Sequence, residues 1–382
     1  MRTSSMQANK FFPEIQGNLG FGCSRLPVKN GQVDLKQYRR LTDIFLEAGF
    51  NYFDTAHDVL DGGAETAFRE CVAKRLPRER FVIADKLKES CFMKTPDIRP
   101  LFEKQLKNCG VDHFDFYFLD EQNQQNYQIF REQAAFETVR ELKEEGRIRH
   151  IGIVFHDSPE LLDIILTQHP EIEAVQIRFN YADWAEPPIE SRRIYDVCVK
   201  HGRAVITTEP VKGGKLAELP EEAEQMLRNL SGGSSASYAI RFAASYPNIA
   251  LVIPGVMDPE HMEENCTFMK DFHPLSDEEK YFIHDVSDTL YSLTEINCID
   301  CRNCVKDIMC RNKLLIPDLF KLYNNFVLYH DRNAKYYYDN VLTGSTGHGK
   351  ASDCVYCGSC EKVCPQQLNI RQLLRKVAET FE

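Results

Sequence analysis

No apolar run in this 382-residue chain approaches the roughly 18 residues of a membrane-spanning helix, so no membrane partner is expected. A basic surplus is missing too. The 46 Lys and Arg face 57 Asp and Glu, a net charge of -11, whereas nucleic acid binding asks for a basic face. Residues Met1 to Phe12 are polar and hold no apolar leader core, so a cytoplasmic protein is expected. No low-complexity tract and no internal repeat is read. The G-x-G-x-x-G turn of an open doubly wound nucleotide-binding sheet, the competing fold, does not follow the first apolar segment. What remains is an ordinary globular composition, 43% hydrophobic and 27% charged, at a length suited to one large and one small domain.

Cysteine, by contrast, is plentiful. Of 14, six (Cys23, Cys71, Cys91, Cys109, Cys198, Cys266) are scattered as reduced thiols are, and the rest fall into two runs. The second run is Cys354-Val-Tyr-Cys357-Gly-Ser-Cys360-Glu-Lys-Val-Cys364-Pro365, with the spacing C-x2-C-x2-C-x3-C-P. Two residues between thiolates let a tight loop wrap three corners of a cubane. The run is similar to that holding a 4Fe–4S cluster in bacterial-type ferredoxins, where the fourth Cys serves the other cluster of a pair. That crossing predicts a partner run, and Cys298-Ile-Asp-Cys301-Arg-Asn-Cys304, then Cys310, supplies one. Five residues rather than three separate Cys304 from Cys310, and no proline follows. Either the loop absorbs the insertion and Cys310 is the eighth ligand, or one cluster has three Cys and an open or non-Cys corner. Structural zinc competes for C-x2-C pairs, but zinc sites group their Cys two and two. Two 4Fe–4S clusters are expected, in a small α-rich, ferredoxin-like domain over 286–382.

Ahead of the tail, short apolar segments recur with amphipathic stretches between them: Leu19–Cys23, Phe50–Asp54, Phe81–Lys86, Phe114–Leu119, Ile148–Phe155, Ala174–Phe179, Ala204–Thr208 and Ile249–Pro254. Apolar strands alternating with helices predict a parallel sheet closed into a (β/α)8 TIM barrel, here over residues 1–285. Gly49 and Gly146 are read as helix C-caps, Ser158-Pro159 as an N-terminus, and Ser276 with Glu279 as a capping box. Chemistry in such a barrel sits at the C-terminal strand ends, which read Cys23, Asp54, Lys86, Asp120, His156, Gln176 and Thr208.

The segments GFGCSRLP (20–27), NYFDTAHDV (51–59), IADK (83–86), DFYFL (115–119), VQIRFNYADW (175–184), EPVKGGKLA (209–217) and IPGVMDPEHMEEN (253–265) resemble the aldo-keto reductase family. With the cysteine runs, the chain is similar to that family's ferredoxin-fused branch. The resemblance implies hydride transfer from a nicotinamide to a carbonyl, by a tetrad of Asp, Tyr, Lys and His. Asp54 and Lys86 match two members, while Val59 stands at the Tyr position and Asp120 at the His position. Loss of a positioned general acid typically lowers a rate by about 10²–10⁴. His57, Asp120 and His156 are the candidate replacements, with Tyr181 and Trp184 nearby.

For the cofactor, NADP or NAD, the resemblance implies backbone at Gly22 and Cys23, Gln176 on the nicotinamide amide, and Glu264 and Asn265 on adenine. Gly213 and Gly214 leave room for backbone to approach a pyrophosphate. The phosphate-reading positions hold Val256-Met257-Asp258 and His261 rather than Lys or Arg. The expected function is an oxidoreductase on a small carbonyl-type substrate, fed through its clusters by an external ferredoxin or another donor. The alternatives are a redox-neutral lyase or dehydratase on the same barrel and a non-catalytic electron-transfer partner.

Overall fold

The computed structural model describes residues 9–23, 25–184, 190–230, 233–306, 310–344 and 347–382. They form two compact units. One gathers the described residues of Met1–Ala185, Ile189–Gly214 and Ala236–Lys280, and the other those of Lys215–Ser235 and Tyr281–Glu382.

The first unit is a parallel barrel. Its strands are β1 (Gly20–Gly22), β2 (Tyr52–Asp54), β3 (Val82–Leu87), β4 (Phe114–Gln122), β5 (Ile148–Phe155), β6 (Ala174–Arg178), β7 (Ala204–Thr208) and β8 (Ile249–Ile253). They pair in that order, and a parallel bridge from Leu19 to Val252 closes the ring. The eight segments read from the sequence are these eight strands.

Alternation along each strand sends every second side chain inward. Tyr52, Val82, Ala84, Phe116, Phe118, Val154, Ala174, Ala204, Ile206 and Ile253 fill the interior. Gly152 makes room for Phe118, whose Cε1 lies 2.3 Å from where a Cβ would stand. Phe12 and Ile15 complete that core, and the edge of Phe12 meets Phe116 at 4.8 Å. Beside them His150 joins Glu14 at 2.7 Å and Glu173 at 2.8 Å. Burial pulls the His150 imidazole down, but the two carboxylates outweigh it and hold it up at about 9.

The helices begin where the capping chemistry places them. Asp34 accepts from the amides of Lys36 and Gln37, so the first helix runs Leu35–Glu47. Ser158 caps Pro159–Gln168, and the Ser276–Glu279 box opens Asp277–Ser292. A two-stranded hairpin, Val28–Lys29 with Gln32–Val33, was not expected.

The second unit contains an internal repeat that the sequence reading missed. Asn303–Lys306 and Ser359–Lys362 are short helices that each begin one residue before the third Cys of a run. Ile316–Tyr329 and Ile370–Phe381 are longer helices, each beginning six residues after a fourth Cys. Ile316, Leu319, Phe320, Ile370, Leu374, Val377 and Phe381 share one core with Cys304.

Candidate active site and metal centre

The inward positions at the C-terminal ends of β2, β3 and β6 meet. Lys86 of β3 pairs with Asp54 Oδ1 of β2, and its Nζ also donates to the Thr55 carbonyl at 3.0 Å. Gln176 of β6 donates from Nε2 to Asp54 Oδ2 at 3.0 Å, so both oxygens of Asp54 are engaged. Burial pulls the Lys86 ammonium down, but the charges of Asp54 and then Asp120 outweigh it and hold it above its ordinary value. A lysine held so is a fixed cation at neutral pH rather than a proton donor.

Asp120, inward on β4, is 7% exposed. Burial pushes its carboxyl up to about 6, although the Lys86 charge acts against the rise. No ion pair joins it to Lys86 among the described residues; Lys86 acts on it at longer range. At the next residue β4 bulges through Glu121 at φ 47°, and Gln122 is buried with no hydrogen-bond partner for its Oε1 among the described residues. The strand outruns its expected end at Leu119. The bulge shifts the register, so Gln122 pairs with Phe155 and leaves the inward alternation, and its amide Nε2 donates to the Asp120 carbonyl at 3.1 Å.

His156 follows β5 and is exposed at the rim. The protein atoms around it, and then the Arg178 charge, press its imidazole down to about 4, so it is neutral at pH 7. His57 lies elsewhere. Its Nδ1 donates to the buried Glu65 at 3.0 Å, and its Nε2 accepts from Lys104 at 3.2 Å. Glu65 takes a further bond from Asn108 at 2.7 Å. Both ring nitrogens of His57 are thus committed away from Asp54 and Lys86. Val59 is half-buried in the turn after β2.

Around the expected nucleotide positions, the Cys23 side chain turns to Tyr38, its Sγ 3.3 Å from the phenol oxygen, and burial raises the thiol to about 12. Only its backbone is available to a ligand, and its amide bonds to the Asp54 carbonyl at 2.7 Å. At Gly22 a Cβ would stand 2.8 Å from Ile253. Gly213 and Gly214 are left-handed, at φ 71° and 99°. Arg25, which sequence reasoning passed over, donates to the Gly213 carbonyl at 3.3 Å and packs on Gly255. Glycine backbone with a guanidinium beside it suits a diphosphate. Glu264 and Asn265 lie on the helix Pro259–Lys270, which Asp258 caps while pairing with His261 at 2.6 Å. That helix end carries a carboxylate rather than a strong cation.

In the second unit, Cys298, Cys301, Cys304 and Cys364 line one cavity, with Ile316, Phe320 and Ile370 among its apolar walls. Three thiols of the first run thus meet the fourth of the second. The segment after Cys310 is tied to the entry of the second run: the Gly349 amide bonds to the Asn312 carbonyl at 3.0 Å, and the Asn312 side-chain amide donates to the Asp353 carbonyl. Both runs bend identically. Asp300 and Arg302 are left-handed at φ 50° and 60°, and Tyr356 and Gly358, two and four residues after Cys354, at 54° and 71°. Lys313 and Gln367, three residues after Cys310 and Cys364, are both at 51°. Such alternation turns successive amides into an anion-binding concavity of the kind found at iron–sulfur sites. Four thiols lining one apolar cavity are a donor set that suits an iron–sulfur cubane.

A family model described as the Aldo/keto reductase family matches residues 18–287. The chain belongs to the aldo/keto reductase family. Residues 297–369 match a second model, described as a 4Fe-4S dicluster domain. An aldo-keto reductase from Mycolicibacterium smegmatis is 26% identical over 255 residues, covering 66% of this chain and 86% of its own. Among solved structures, the holo form of an aldo-keto reductase from Bacillus halodurans superposes with a TM-score of 0.59 at 23% identity, over 70% of this chain and 91% of that one. An aldo-keto reductase from Klebsiella pneumoniae in complex with NADPH does so at 0.59 and 20% identity, over 78% and 98%. These likenesses show a shared fold. The chain is an aldo-keto reductase-like oxidoreductase with a 4Fe–4S ferredoxin-like domain.

Proposed function

We propose that this reductase acts on a small carbonyl-type substrate at the Asp54–Lys86 end of the barrel, with Asp120 as its proton donor. The observation that carries this reading is the Asp120 carboxyl, held at about 6 beside a lysine that stays charged. A general acid works best with its pKa near the working pH, and Asp120 is the inward acid that meets this condition. Lys86 then stabilises negative charge growing on the carbonyl oxygen, and Asp54, gripped by Gln176, keeps Lys86 in place. Neutral His156 offers a hydrogen bond to substrate at the rim. His57 acts as a positioning residue, tying the loop after β2 to Glu65.

Reduction of a carbonyl to an alcohol takes two electrons and two protons. A nicotinamide would supply hydride, and Gly213, Gly214 and Arg25 fit its diphosphate, while Asp258 favours NAD over a nucleotide carrying a 2′-phosphate. Cubanes supply single electrons, and the eight thiols of the two runs would hold two of them, with Cys310 the fourth ligand of the second. The donor to those clusters is an external one-electron carrier such as a ferredoxin.

Asp120→Asn should lower kcat by about 10²–10⁴ and remove the pH dependence near 6, with substrate Kd little changed. An unaltered kcat would sink the assignment. Asp120 beside a fixed cation also suits elimination without net redox change. Turnover with no reductant present would select that reading instead.

A further inference from the structure

The two cysteine runs differ in what surrounds them. The first is walled in by Ile299, Ile316, Pro317, Phe320, Leu368 and Ile370. The second lies open: Val355 and Tyr356 are 59% and 52% exposed, and Cys357 beside them is exposed as well. The loop is nevertheless held, since Arg371 donates to the Tyr356 carbonyl at 3.4 Å and pairs with Glu361 at 2.9 Å. Around it stand Arg311, Lys313, Lys350 and Lys362, all exposed. Among the described residues none of these four is in an ion pair, whereas Glu361 already has its Arg and Asp353 takes the Lys350 amide at 2.8 Å. Lys350 also acts on the nearby Glu382 carboxylate, yet a group of exposed cations beside an apolar centre stands out on a chain of net charge -11.

We propose that electrons enter or leave at the second run, through docking of an acidic one-electron carrier protein onto Val355 and Tyr356 inside the rim of Arg311, Lys313, Lys350 and Lys362. The proposal rests on the reading that the runs hold clusters. In the transfer the carrier loses one electron and this chain gains it, or the reverse, and no bond forms or breaks. An apolar centre excludes water and permits close approach, while the cationic rim steers an acidic partner that the rest of the chain repels. At the first run Cys301 is exposed too, but the Arg302 beside it is already paired with Asp300 at 3.1 Å and Asp318 at 2.6 Å.

The test uses the full chain, reconstituted anaerobically, with iron and sulfide counted, and an acidic two-cluster ferredoxin as the probe. Calorimetric affinity should fall at least tenfold between about 50 and 200 mM salt, as contact between charged surfaces requires. The double variant Lys350→Glu with Lys362→Glu should lose at least tenfold at low salt with its iron content unchanged. Tyr356→Ala should weaken binding while leaving the salt dependence alone, and Lys29→Glu on the barrel hairpin should do nothing. Salt-independent binding, an unaffected double variant, or equal loss in Lys29→Glu would overturn the proposal, as would anionic vesicles or DNA binding in place of the ferredoxin. An iron-free wild-type chain would sink the cluster reading itself; an iron-loaded chain that ignores the carrier would sink only the docking surface.

Discussion

Burial holds the Asp120 carboxyl at about 6 even though Lys86 acts the other way. An ordinary aspartate titrates near 4, so between pH 4 and 6 the native chain binds more protons here than the unfolded one. Stability therefore falls as pH rises through that window, and above it the buried charge is fully unfavourable. Asp120→Asn removes the titration. It should stabilise the chain by up to about 3 kcal/mol at pH 8 and by almost nothing at pH 4, while impairing catalysis. Denaturant melts at the two pH values check this, and an equal shift at both would refute it. Asp54 and Lys86 were legible in sequence because each ends an apolar strand. The true setting of His57 was not. Glu65, eight residues on, reads as a solvent-facing carboxylate, and its complete burial depends on Asn108 from another helix.

At the scale of elements, recurring apolar runs placed all eight strands, because a buried parallel strand writes its whole length as an apolar run. The bulge at Glu121 and the repeat in the tail left no such trace. The repeat is carried by backbone: left-handed residues at matched offsets, two of them glutamine and lysine, and helices that start at equal distances from Cys310 and Cys364. The extra residues after Cys304 hid that equivalence, and they fall partly at 307–309, outside the described residues. On that equivalence we propose Cys310 as a ligand to the second cluster. Cys310→Ala should lower iron from roughly eight atoms per chain towards four, with loss of one of two paramagnetic signals on reduction. Unchanged iron and spectra would instead give that cluster another fourth ligand. Lys86 and Asp54 lie in the other unit and should keep their pairing in this variant.

The two units carry cores of different kinds. The space inside the barrel strands is filled by Tyr52, Phe116, Phe118 and aliphatic neighbours, and the buried thiols of that unit, Cys23, Cys71, Cys109, Cys198 and Cys266, are scattered outside this cluster. In the second unit Cys304 is part of the core, and Cys298, Cys310, Cys354, Cys360 and Cys364 pack against it. A domain of this size has a thin apolar interior, and metal–thiolate bonds become folding free energy when the ligands come together only in the native state. Stripping the clusters with oxidant and chelator should therefore unfold the second unit and leave the barrel standing. Calorimetry should show two transitions in the loaded chain, one of which disappears on stripping while the other moves by only a few degrees. Proteolysis adds a sharper test. Residues Lys215–Ser235 lie in the middle of the barrel sequence but fold with the tail: Lys215 pairs with Asp331 at 3.4 Å, and Thr289 donates to the Met226 sulfur at 3.4 Å. Losing the clusters should open this segment to cleavage together with the region after Tyr281, which the barrel's Ala236–Lys280 separates from it. One cooperative transition, or a 215–235 segment that stays resistant while the tail is digested, would show that the clusters do not hold this unit together.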